Sequence, residues 1–102
     1  MILHIKNIND FWEAIDSSAD SPYSLVIEGE NNQCVLYVYD TQWQKVLAAL
    51  LLPSSLSVPF AIDVNWKNEV CFVNIGNYLS ASFDAKHLIG ETNSGNWIIH
   101  NS

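Results

Sequence analysis

Five side chains could bind a metal or form a nucleophile–base pair: Cys34, Cys71, His4, His87 and His100. None falls in a Cys-x-x-Cys or His-x-x-x-His spacing, which would present two ligands from one turn or one helix face. A metal site would therefore have to be assembled from distant segments. A cysteine nucleophile needs a thiol of lowered pKa beside a base. Both cysteines instead sit inside apolar runs, at 33–39 and 69–75, where burial raises the thiol pKa and leaves it inert. Two buried free thiols are one reading; a single disulfide between adjacent strands is the other. There is no Gly-x-Ser-x-Gly nucleophile turn, and four glycines in all leave no phosphate-cradling loop. No cofactor is expected, and no motif marks an enzyme.

The carboxylates are the remaining chemistry. Eleven Asp/Glu face four Lys and no Arg, for a net charge of −7 on 102 residues. Asp10, Glu13, Asp16, Asp20, Glu28, Glu30 and Asp40 have only Lys6 against them across the first forty positions. Acid–base catalysis would need some of them buried and perturbed. At the outer face of a short helix they are solvated. They then either keep the protein soluble or form a recognition surface for a basic partner. The single sign of the charge and the absence of arginine favour recognition. Such a field repels nucleic acid and anionic membranes.

These acids need elements to position them. Ile8, Phe11, Trp12, Ile15 and Ala19 recur at helical spacing, with Asp10, Glu13, Asp16 and Asp20 opposite, which predicts an amphipathic helix ended by Ser21-Pro22. Asp40-Thr41, with Gln44 completing a capping box, predicts a second helix through Trp43, Val46, Leu47 and Leu50 to Pro53. Its apolar C-terminal half, Val46 to Leu52, would be deeply buried or part of a dimer interface. Strands are expected at 2–5, 23–28, 33–39, 60–66, 69–75, 78–83 and 97–100, and a mostly polar loop at 84–95 with a helical turn at 84–88.

The resulting order is β-α-β-β-α-β-β-β-(β), an α+β fold with two helices on one face of an antiparallel sheet. Its first six elements match the split β-α-β order of ferredoxin-like folds, with extra C-terminal strands. Length sets one domain, 1–102, as the expectation. About half the residues are apolar, and the mean hydropathy of +0.09 excludes disorder. The longest apolar run is seven residues and no secretory signal opens the chain, so a cytoplasmic protein with reduced thiols is expected. Trp12, Trp43 and Trp66 fall on apolar faces and read as core. Trp97, in a polar stretch, and Tyr37 and Tyr39, near one end of a strand, are core residues or interface anchors; the sequence leaves both open.

In size, acidity and organisation, though in no motif, the chain resembles bacterial toxin-immunity proteins, including those paired with contact-dependent growth-inhibition toxins. The resemblance implies a role as an inhibitor that covers a basic toxin domain, often a nuclease. Asp10, Glu13, Asp16, Asp20, Glu28 and Glu30 are the expected contact surface. Phage-encoded inhibitors share these features. A structural or regulatory module, homodimeric through Val46 to Leu52, and a small ligand-binding domain or enzyme with a cavity between sheet and helices are the competing readings.

Overall fold

The computed structural model describes residues 2–6, 11–17, 23–30, 33–40, 42, 44–53, 56 and 59–100. These contain ten strands and no helix: β1 (Ile2–Ile5), β2 (Phe11–Ser17), β3 (Tyr23–Glu30), β4 (Gln33–Asp40), β5 (Lys45–Leu51), β6 (Phe60–Lys67), β7 (Val70–Ile75), β8 (Leu79–Asp84), β9 (Ile89–Thr92) and β10 (Asn96–Ile99). The α+β, ferredoxin-like expectation is therefore incorrect. The first expected helix is strand β2 over its described residues, and the second is a turn at Gln42 and Gln44 followed by strand β5.

The error at residues 41–52 has a physical source. A continuous apolar run satisfies the helical and the buried-strand pattern equally. Ala and Leu favour a helix by propensity, but tertiary context overrides it. Here β5 is an interior strand between β4 and β10, with Leu47, Ala48, Ala49 and Leu50 all buried. The apparent helix start is a turn. The Asp40 carboxylate accepts the Gln42 N–H at 3.0 Å, using the same side-chain-to-backbone bond that caps helices. At β2 the strand period is broken by register shifts between Phe11 and Ala14 and between Ala14 and Asp16. Such bulges scramble the alternation that identifies a strand.

Two five-stranded antiparallel sheets form, in the orders β1-β6-β7-β8-β9 (sheet A) and β10-β5-β4-β3-β2 (sheet B). Each consists of a four-stranded meander, β6–β9 or β2–β5. The fifth strand comes from the opposite end of the chain: β1 pairs with β6, and β10 with β5. Each terminal strand thus crosses to the meander that its own neighbour in sequence does not belong to.

One hydrophobic core draws on both sheets. Leu25, Ile27, Leu36, Val38 and Leu50 contribute from sheet B, and Ile5, Ile62, Val64, Val73, Leu79 and Phe83 from sheet A. In β6, β7 and β8 the inward residues alternate with outward Asp63, Asn65, Phe72, Asn74, Ser80 and Ser82. This is the pattern of a sandwich with one dry and one wet face per sheet. No helix among the described residues is long and apolar enough to cross a membrane.

Candidate interaction surface

The acids expected to act together are redistributed. Asp10 and Asp20 lie outside the described residues. The backbones of Glu13 and Asp16 run along β2, the last strand of sheet B, and not along a helix face. Glu28 and Glu30 lie on β3, the neighbouring strand, with Phe11 paired to Glu28 and Asp16 to Leu25. Four of the six acids therefore belong to two paired strands at one margin of one sheet. Charges at a sheet margin also discourage unwanted pairing with another chain.

Glu28 connects this margin to a groove. On the outer face of sheet B, Val26 is paired with Tyr37, and Tyr39 with Val46. These four residues and Glu28 line an open depression of about 300 Å³. Tyr37 and Tyr39 are two residues apart on one strand, so their rings stand on the same face. The row Val26–Tyr37–Ala49–Ile98 continues the apolar surface across four strands, ending at Ile98, which is 44% exposed.

The groups weighed for metal or nucleophilic chemistry do not converge. Cys34 and Cys71 are buried, 3% and 1% exposed, on strands of different sheets, and no disulfide joins them. Burial pushes the Cys34 thiol up to about 11. His4, His87 and His100 are all exposed. Among the described residues no group of three or more His, Cys, Asp and Glu could hold a metal ion. His87 Nδ1 lies 2.8 Å from an Asp84 carboxylate oxygen. The other oxygen accepts the Lys86 and His87 N–H groups at 3.0 and 3.1 Å. These bonds hold Asp84 below the usual carboxylate range, the His87 side-chain bond contributing most. They shape the turn between β8 and β9; residues 84–88, expected as a helical turn, form this hydrogen-bonded turn. The rest of the expected loop at 84–95 is not all loop, because Ile89–Thr92 is the strand β9.

No protein-family model, curated protein or solved structure matches the chain at a significant level. The site is therefore read from its own geometry.

The aromatic residues divide. Trp97 is half-buried and packed on Phe83, with ring centroids 5.2 Å apart; its indole N–H donates to the Glu91 carbonyl at 2.9 Å. Those contacts fix one face of the ring, and the rest stays partly exposed. Trp66 stacks on Tyr23 at 6.1 Å. The Tyr23 phenol is raised, first by burial and then by the charges of Glu69, Asp40 and Asp84. Trp12 lies on β2, and Trp43 lies outside the described residues. The Val46 to Leu52 segment, expected as a helix end deeply buried or part of an interface, is a mostly buried strand. Sequence reasoning named Glu28, Tyr37 and Tyr39 separately and did not bring them to one groove. Its signal was present: Tyr37 and Tyr39 alternate with the buried Leu36 and Val38.

Proposed function

We propose that this chain is a non-catalytic inhibitor of the immunity type, which binds a basic toxin domain through the acidic margin of sheet B and the tyrosine-lined groove beside it. The observation that supports this reading best is the position of Glu28. It belongs both to the acid-bearing pair β2–β3 and to the groove walled by Tyr37 and Tyr39. Protein interfaces are commonly anchored by tyrosines at the centre, with charges toward the rim. The rim charges steer a partner of opposite sign and raise its association rate ~10–1000-fold at low salt. The net charge of −7 supplies that field.

The test is affinity capture from cells that carry the protein, at low and high salt, with mass spectrometry of what is retained. One basic protein held stoichiometrically, with capture slowed by salt and by Glu28→Lys, is the expected result. Retention of nothing, or of a partner indifferent to both changes, rejects the electrostatic mechanism.

The outward-facing row Val26–Tyr37–Ala49–Ile98, in which Val26 and Tyr37 are half-buried and Ile98 is exposed, favours a second reading, a self-associating interaction module. It has no need of the acids. Sedimentation equilibrium at micromolar concentration would then show a dimer that is unaffected by salt and lost in Tyr37→Ala.

A further inference from the structure

Sheet A carries a second groove, on its own outer face. One row across this face reads Asn65–Phe72–Ser82–Glu91, each residue paired with the next. Phe72 stands 39% exposed, and Glu91 is exposed two strands away. Adjacent strands lie ~4.8 Å apart, so ring and carboxylate rise from backbones ~10 Å apart. Between them Ser82 contributes only a hydroxymethyl group. The result is a notch of about 390 Å³ lined by Phe72, Ser80, Ser82, Glu91, Thr92 and Asn93.

The notch is closed at one end by a firm clasp. Asn93 Oδ1 accepts the Ser80 N–H at 2.8 Å, and the Asn93 N–H donates back to the Ser80 carbonyl at 3.2 Å. Its walls therefore belong to hydrogen-bonded strands and need no ordering on binding. The chemistry of the three main positions suits a cation. An aromatic face attracts a cation, a carboxylate pairs with one, and hydroxyls on the floor accept N–H bonds. A planar cation suits the shape better than a spherical one, because it can lie flat on the ring while directing its edge at the carboxylate. Among the described residues the one charged group lining the notch is acidic, and the chain as a whole carries −7. A neutral ligand such as a sugar also stacks on a ring and hydrogen-bonds to a carboxylate, but it gains nothing from the net charge of −7.

We propose that the Phe72–Ser82–Glu91 notch is a receiving site for an arginine side chain presented by a protein partner. It lies on a different sheet from the Glu28 groove and does not depend on the inhibitor reading.

The test needs no partner. Amide resonances of ¹⁵N-labelled protein are followed while N-acetyl-arginine methylamide is added, then its neutral isostere N-acetyl-citrulline methylamide, then methyl glucoside. Saturable shifts at Phe72, Ser82 and Glu91 with the arginine probe, and none with the other two, are expected. Glu91→Gln and Phe72→Leu should each weaken the arginine response ~2–5-fold. Both positions are surface-facing, and the spectrum itself reports whether each variant stays folded. Equal shifts from citrulline, a response to the glucoside instead, or arginine shifts located elsewhere on the acidic surface would overturn the proposal.

Discussion

The indole of Trp97 lies directly against Gly90. A Cβ placed on Gly90 would come within 2.7 Å of Trp97 Cγ and 2.8 Å of its Cδ1. Trp97 belongs to β10 in sheet B and Gly90 to β9 in sheet A, so this contact seals one corner of the sandwich. A methyl group there must push the ring off Phe83 or separate the sheets. Gly90→Ala should destabilise by ~1–3 kcal/mol, the usual cost of overpacking. At this chain length that lowers Tm by ~4–8 °C per kcal/mol. Thermal unfolding measures the loss, and a changed native tryptophan emission would show that Trp97 has moved.

Cys34 predicts a pH dependence. Burial raises its thiol from an ordinary 9.0 to about 11. The unfolded thiol therefore releases its proton first as pH rises. The stability it contributes is complete below about pH 8.5 and is lost as pH climbs toward the folded value. Tyr23, also raised, adds to the loss above pH ~10. Denaturant unfolding between pH 7 and 11 should show falling stability. Within that window Cys34→Ala should flatten the slope, though it starts lower by ~1 kcal/mol for the small cavity. A thiol reagent at pH 8 should label neither cysteine in the native protein and both in denaturant.

Asp84 predicts the opposite sign. Its carboxyl is held down by His87 and by backbone N–H groups. A depressed carboxylate stabilises above its unfolded pKa, near 3.9, and that contribution disappears as pH falls through the folded value. The turn after β8 should loosen first. Exchange of the Lys86 and His87 amides, compared with that of Val73, should accelerate below pH ~4 relative to Asp84→Asn, which has no such transition.

Much of the second half of the chain could be read directly. Phe60 to Trp66 alternates, and a tight turn is expected at Lys67-Asn68. It forms one residue later, at Asn68-Glu69, with Lys67 still paired to Val70, and Asn68 has φ 57°, a left-handed conformation that Asn tolerates. The first half misled because its signals are shared between structures. Asp40 caps a turn as readily as a helix, Val46 to Leu52 has no period to read, and β2 is bulged. The Glu28 and Phe72 sites depend on which residues face outward and which strands pair. Ser82 becomes the floor between Phe72 and Glu91 only through the register of β7, β8 and β9. The Gly90–Trp97 contact joins two sheets, and no local pattern encodes it.

Glu28 and Tyr37 should affect a captured partner differently. A rim charge acts mainly on encounter, so Glu28→Lys should lower the association rate and flatten its salt dependence. A ring in a groove acts after contact, so Tyr37→Ala should raise the dissociation rate, with a total loss of ~10-fold or more if Tyr37 is an anchor. Surface plasmon resonance at two salt concentrations separates the two effects. If both variants changed only dissociation, electrostatic steering would play no part.

The terminal strand β10 should be indispensable, although it is only four residues long. It covers the exposed hydrogen-bonding side of β5 from Leu51 to Ala48, and His100 adds a backbone bond to Leu47 at 2.8 Å. It also delivers Trp97 and Ile99 to the core margin. The chain enters it through Gly95 at φ 84°, where a Cβ would lie 2.5 Å from the Leu51 carbonyl oxygen. Deleting residues 96–102 removes these contacts and leaves β5 as an unprotected, strongly apolar edge. The truncated protein should aggregate or lose its dispersed NMR spectrum. Trp97→Ala keeps the strand and loses only the half-buried ring; it should stay folded, destabilised by ~2–3 kcal/mol, below the cost of a fully buried one. Gly95→Ala tests the entry turn separately. Retention of a native spectrum by the truncated chain would show that the β2–β5 meander holds its edge without the strand that crosses over from the other end.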